Sequence, residues 1–190
     1  MSYRYVIAYK PYGVLSAHRS RHEHKTLSDL GISPHLHPAG RLDLDSEGLL
    51  LLTDDGQTQH RLTHPDYRHA KTYLVLVLDH PEVETLQRLR EGVEIKLGRT
   101  RPADVEVLAG EPPLPPFPRG LPAPERTTWL RIVLHEGMNR QIKRMTAAVG
   151  HPTVRLVRVA IDRLALTADL SPGEWRDLTP VERQVLLGQG

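Results

Sequence analysis

Apolar positions along the chain come in short runs separated by polar, Gly- and Pro-containing turns. Tyr5-Val6-Ile7-Ala8 predicts a strand, stopped by Lys10-Pro11-Tyr12-Gly13. Residues 17–25 are polar and rich in His and Arg, a loop pattern, and Thr26-Leu27-Ser28-Asp29 predicts a short helix start halted at Gly31. Gly48 to Thr53 is a continuous apolar run, predicting a buried strand closed by the turn Asp54-Asp55-Gly56. Thr72 to Leu78, rich in Leu and Val, is the strongest strand pattern. Asp79-His80-Pro81-Glu82 then predicts a helix with Asp79 as N-cap, running to Glu91 and ending at Gly92. Two shorter strands are expected near Val93–Leu97 and Ala103–Leu108.

Residues 112–124 hold seven prolines in thirteen positions, which excludes a helix or a central strand and predicts an exposed insertion or linker. Beyond it, Thr128–His135 and Thr153–Ile161 read as strands around a helix from Asn139 to Val149, and Thr179-Pro180-Val181-Glu182 is a capping box opening a last helix. Strands and helices mix without regular βαβ alternation, so the expected class is α+β with a largely antiparallel sheet.

Composition narrows the function classes. The 190 residues are 39% hydrophobic and 25% charged, values of a globular chain. No apolar run approaches the roughly 18 residues of a membrane span, and the N-terminus has no secretory-signal pattern. Zero cysteines exclude disulfide scaffolds and thiolate chemistry and suit a cytoplasmic protein. The net charge of +2 hides a strong pattern. Residues 1–42 carry six Lys/Arg against two acids, residues 43–56 five acids and no base, and residues 126–163 eight bases against two acids. An acidic segment between basic regions fits a carboxylate site with a polyanion-binding face as well as an unevenly charged solvated surface.

Gly40 to Gly48 brackets a polar loop leading straight into a buried strand, a common seat for catalytic groups. Asp43, Asp45 and Glu47 alternate and would share one side of an extended chain. The same acids also suit a solvated turn or a cation site, although their spacing is not that of a calcium loop. On the helix after Asn139, Ile142, Met145 and Val149 fall on one arc and Arg140, Lys143 and Arg144 on the other. Three adjacent cations without acids call for a partner anion. His18/His22 and His60/His64 have helical metal-ligand spacing but no strong helix pattern, so no metal is expected.

Together these segments resemble the ribosomal pseudouridine synthases of the RsuA/RluB/RluE/RluF family. Lys10-Pro11-Tyr12-Gly13-Val14 resembles the first motif. Gly40-Arg41-Leu42-Asp43 with Ser46-Glu47-Gly48-Leu49-Leu50-Leu51-Leu52-Thr53 resembles the active-site motif, and Lys71-Thr72-Tyr73 the tyrosine motif. Glu136 to Met145 resembles the third motif, and Leu156-Val157-Arg158 with Gly173-Glu174-Trp175-Arg176 the closing segment. Within the family the chain is most similar to the RluE type, which lacks an S4 RNA-binding domain and carries a Pro-rich insertion before the third motif. It departs from that type in having Lys143 where Arg is usual.

The resemblance implies the α+β pseudouridine synthase core: a mixed, mostly antiparallel bent sheet with flanking helices and a central cleft. It implies one catalytic domain, with an N-terminal lobe to about residue 65 and a C-terminal lobe over 66–190 that includes the insertion. It implies isomerisation of a uridine in large-subunit ribosomal RNA by a cytoplasmic monomer, without cofactor or metal. Asp43 is then the active-site carboxylate and Tyr73 the stacking surface for the detached base. Lys143 is the cation that pairs with Asp43 across the lobes, and Lys10, Arg41, Arg140, Gln141, Arg144 and Arg158 are RNA contacts. A non-catalytic RNA-binding protein and an N-glycosidase that releases the base are the rival readings.

Overall fold

The computed structural model describes residues 3–188. In chain order, strands β1 (Tyr5–Lys10), β2 (His37–Pro38) and β3 (Glu47–Thr53) precede helix α1 (Gly56–Thr63). Next come β4 (Lys71–Leu78), α2 (Val83–Glu91), β5 (Glu94–Ile95), β6 (Gly98–Arg99), β7 (Asp104–Val107), β8 (Thr127–Leu134) and α3 (Gln141–Ala148). The chain ends through β9 (Thr153–Ile161), β10 (Leu164–Ala165), β11 (Trp175–Asp177) and α4 (Pro180–Leu187).

Two compact units are present: residues up to His69 together with those from Arg158 onward, and Ala70–Val157. The first boundary falls at His69. Residues 158–188, expected in the C-terminal lobe, instead belong with the first unit, because β11 pairs with β1 (Ile7↔Arg176).

In the first unit β1 lies between β11 and β3, antiparallel to both, and β2 adds to β3. All of β3 is buried, which explains its unbroken Leu49–Leu52 run: a strand covered on both faces has no solvent side to mark with polar residues. Val6, Ala8, Leu50 and Leu52 pack with Leu27, Ile32 and Leu36 into one core. Each Val, Leu or Ile side chain among them contributes about 1.5–3 kcal/mol by leaving water. Trp175 seals this core, its indole N–H donating to the Leu30 carbonyl at 3.0 Å.

In the second unit β8 lies between β4 and β7, again antiparallel (Tyr73↔Ile132↔Val105). Val75, Val77, Leu130 and Ile132 meet Leu86 and Leu89 of α2, and Ile142 and Met145 of α3. The apolar arc read on α3 is therefore the buried one. The helix itself starts at Gln141, two residues later than expected, because Arg140 takes a left-handed conformation (φ 52°).

Three further differences have local causes. Glu82, not Asp79, stands at the N-cap position of α2, without a side-chain capping bond, and Asp79 is left-handed (φ 61°). Helix α1 replaces the simple turn read at Asp54-Asp55-Gly56: Asp55 accepts the Gln57 and Thr58 N–H groups, while only Thr58 and Leu62 of the helix are buried. The Pro-rich segment has no strand or α-helix, as expected, but it is not loose. Buried Arg155 of β9 donates to the Pro115 carbonyl at 2.9 Å and lies over the Phe117 ring at 5.1 Å.

Candidate active site

In the first unit the approach to β3 is a tight turn around Asp43. Its Ser46 N–H donates to the Asp43 carbonyl at 3.1 Å, so the chain is turned rather than extended. The three acids consequently do not share one side: Asp43 and Asp45 are half-buried, while Glu47 is 2% exposed at the start of β3.

Asp43 is held through both neighbours. The buried Ser16 hydroxyl accepts the Leu42 N–H at 3.0 Å and donates to the Leu42 carbonyl at 2.9 Å. On the other side the Gly13 N–H donates to the Leu44 carbonyl at 2.8 Å. Gly13 stands at φ 79°, a conformation that favours glycine, which explains the Pro-Tyr-Gly sequence of the preceding turn. Lys10 secures that turn. It is 0% exposed, and its ammonium donates to the carbonyls of Pro11 (2.8 Å) and Val14 (2.6 Å). Lys10 is therefore not the RNA contact expected from the sequence but a buried residue that fixes the turn beneath Asp43.

Gly48 anchors the same turn from below. A Cβ placed on it would lie 2.2 Å from the carbonyl oxygen and 2.8 Å from the nitrogen of Arg158, so the two backbones touch and only glycine fits. Arg158 is 2% exposed and donates Nε to the Leu49 carbonyl at 2.8 Å. Its expected role as an RNA contact is corrected as well: the guanidinium lies inside, under β3. Arg41, by contrast, is exposed immediately before Leu42 and Asp43.

In the second unit Tyr73 of β4 is half-buried against the core that holds Ile142 and Met145. Lys143 and Arg144 of α3 are half-buried, and Arg140 is exposed at the helix start. Gln141 is 4% exposed and organises this start instead of facing RNA. Its side-chain oxygen accepts the Met138 N–H at 3.0 Å, and its amide nitrogen donates to Glu136 at 2.5 Å. Glu136 in turn accepts the Arg101 N–H at 2.9 Å. Arg144 donates to the Asn139 side-chain oxygen at 3.0 Å.

Two of the paired histidines make local contacts. His18 meets the Leu36 carbonyl at 2.7 Å, and the His64 ring caps the Asp66 N–H. Among the described residues no three His, Cys, Asp or Glu side chains converge as metal ligands, and no helix is long and apolar enough to cross a membrane.

This α+β antiparallel scaffold, with the Asp43 turn on a locked backbone, belongs to a chain that matches a known enzyme family. The profile of the RNA pseudouridylate synthases aligns with residues 4–148. A protein of Xanthomonas campestris pv. campestris named ribosomal large subunit pseudouridine synthase E is 51% identical over 177 residues, covering 90% of this chain and 93% of that one. Its namesake from Xanthomonas axonopodis pv. citri is 52% identical, covering 90% and 86%. A crystal structure of a pseudouridylate synthase superposes with a TM-score of 0.81 at 34% identity, covering 97% of this chain and 74% of that one. The chain belongs to the RNA pseudouridylate synthase family, and it is an isomerase with that family's α+β fold.

The residues that sequence reasoning missed are Ser16 and Gly13 as the clamps on the Asp43 turn. Ser16 lies 27 positions before Asp43 in the sequence, and nothing in its surroundings marks it.

Proposed function

We propose that this enzyme converts a uridine of large-subunit ribosomal RNA to pseudouridine, with Asp43 as its active-site carboxylate. The N1–C1′ bond breaks, the uracil turns, and a C5–C1′ bond forms; the C5 proton is lost and N1 gains one. A carboxylate can start this by attacking C1′ or by removing the C2′ proton, and both routes need it ionised and fixed in place. The observation that carries the reading is the locked turn, which holds the backbone on both sides of Asp43 and leaves its side chain half-buried. The choice of RNA rests on the names of the two relatives at 51 and 52% identity.

In this reading Tyr73 is the aromatic surface for the loose base, and Lys143 is the third catalytic residue. The target uridine must leave its stack, which costs a few kcal/mol. Exposed Arg41, next to Leu42, fills the vacated space or holds a phosphate, and Arg140 and Arg144 add phosphate contacts. Both units belong to one catalytic domain, a reading supported by a family match that runs through both. The enzyme works as a cytoplasmic monomer, without cofactor or metal.

The test is product analysis on large-subunit rRNA treated with purified protein. An isomerised nucleoside formed by the wild type and lost in Asp43→Asn supports the reading. An abasic site would indicate a glycosidase instead.

A further inference from the structure

In the second unit Val75, Val77, Leu130 and Ile132 pack toward α2 and α3. Leu76 and Trp129 alternate with them and are paired in register, so they lie on the opposite face of the sheet. Between that face and the Pro-rich segment is a cavity of about 550 Å³. Leu76 and Trp129 of the sheet, Val107 and Leu108 at the end of β7, and Leu121 and Pro122 of the Pro-rich segment line it. Its frame is braced. The Leu108 N–H donates to the Trp129 carbonyl at 2.9 Å, and the Asp79 N–H to the Arg126 carbonyl at 2.8 Å. His80 meets the Glu125 carbonyl and the Thr128 hydroxyl, each at 2.9 Å, and that hydroxyl donates to the Asp79 carbonyl at 2.8 Å. A site framed in this way costs little ordering when a ligand binds.

Two side chains on the lining lack partners. The chain has two tryptophans, and they differ. The indole N–H of Trp175 is satisfied by the Leu30 carbonyl at 3.0 Å. Trp129 is 7% exposed, and among the described residues its indole N–H has no hydrogen-bond partner. A donor this deeply placed is ordinarily paired, so its state points to an acceptor brought from outside the chain. The second is Glu111, exposed, the one carboxylate among the lining residues, and without an ion pair among the described residues. No Lys or Arg lines the cavity, which disfavours a polyanion there.

The matching ligand is apolar, with an acceptor for the indole and a cation for Glu111. It has few N–H donors to leave unpaired against Leu and Pro side chains. A proline-rich segment meets each demand. An X-Pro amide keeps its carbonyl and has no N–H. Proline rings pack on tryptophan and aliphatic surface, and the preformed polyproline II shape loses little entropy on binding. A neighbouring Lys or Arg supplies the charge. The cavity is within the range of roughly 300–1,000 Å³ typical of ligand sites. We propose that this cavity, built from residues of the second unit alone, is a docking site for a proline-rich, basic segment of a protein partner.

The probe is the capped peptide Pro-Pro-Val-Pro-Pro-Arg, titrated into the full-length protein labelled with nitrogen-15. The two indole N–H signals, assigned by triple-resonance spectra, are followed together. The Trp129 signal should shift saturably while that of Trp175, already bonded, stays in place. By calorimetry, Trp129→Phe should raise Kd about threefold to tenfold through loss of one hydrogen bond. Glu111→Gln should raise it about twofold to fivefold and reduce its salt dependence. The control peptide Ala-Ala-Val-Ala-Ala-Arg should bind at least about tenfold more weakly. Glu111→Gln alters only an exposed side chain, so the test stands even where Trp129→Phe does not fold. No shift of the Trp129 signal at millimolar peptide overturns the proposal, as does equal binding of the alanine peptide. A shift on raising protein concentration without peptide would make a second copy the occupant and overturn it too. So would a shift produced by an rRNA fragment and reversed by salt.

Discussion

At the scale of single residues, the backbone on both sides of Asp43 is held by Ser16 and Gly13. Ser16 satisfies both polar backbone groups of Leu42 with one buried hydroxyl. Ser16→Ala would leave both groups without that partner, a loss of about 1–3 kcal/mol. Because the freed backbone adjoins the proposed active-site carboxylate, kcat should fall roughly 10- to 100-fold with KM nearly unchanged. Steady-state kinetics and thermal melting on the same samples check this; an unaltered kcat would mean the clamp is dispensable. Gly48 makes the complementary prediction. Its alanine variant would put a Cβ 2.2 Å from the Arg158 carbonyl oxygen, at a φ of 106° that alanine avoids. We expect a stability loss above about 2 kcal/mol, read by denaturant unfolding. Gly48 was visible in sequence as a motif glycine, but its reason was not, since Arg158 lies 110 positions away. Distance also hides the burial of Arg158, whose partner Leu49 is far away in sequence, whereas Lys10 and Gln141 are braced by near neighbours and only their burial is hidden. Charge and polarity are legible in a sequence; burial against backbone carbonyls, which turns a cation into a structural brace, is not.

At the scale of elements, the strong patterns translated directly. The β9 run Thr153–Ile161 and the capping box at Thr179 stand where the sequence placed them. Helix α1 was hidden because its sequence carries almost no apolar periodicity, and Asp55 makes it by capping. The last helix also couples to the sheet. Arg176 of β11 forks onto Glu182 of α4, with Nη1–Oε2 at 2.8 Å and Nη2–Oε1 at 2.9 Å. This hydrogen bonding, with the Thr179 N–H, holds the Glu182 carboxyl down at about 2 against an ordinary 4.5. A carboxyl depressed in the folded state stabilises above its unfolded pKa and loses that contribution as pH falls through the folded one. Stability of the wild type should therefore decline between about pH 4.5 and 2. Glu182→Gln should be less stable at neutral pH and show a flatter decline across that window, measured by thermal unfolding at a series of pH values. The Pro-rich segment belongs to this scale too. Proline density forecast its lack of regular structure but not its tether. Arg155→Ala removes both the Pro115 hydrogen bond and the Phe117 contact, and should speed proteolytic nicking within 112–124 while the core stays intact. Equal nicking rates in wild type and variant would show that Arg155 does not hold the segment.

At the scale of the whole molecule, the proposed chemistry rests on Asp43, and the proposed RNA contacts rest on the exposed cations of the chain. The family was legible from ordered motifs, and so was the α+β class from unalternating strands and helices. The return of residues 158–188 to the first unit was not, because pairing of β11 with β1 leaves no local mark in either strand. The central claim is that Asp43 makes this protein an rRNA pseudouridine synthase. The most direct measurement maps pseudouridine in large-subunit rRNA from cells lacking the protein, complemented with either wild type or Asp43→Asn. Asparagine keeps the shape of the side chain and removes its charge and nucleophilicity. The account predicts one uridine position whose modification is absent in the deletion, restored by the wild type and not restored by Asp43→Asn expressed at the same level. Restoration by Asp43→Asn, or an unchanged rRNA map in the deletion, would contradict it.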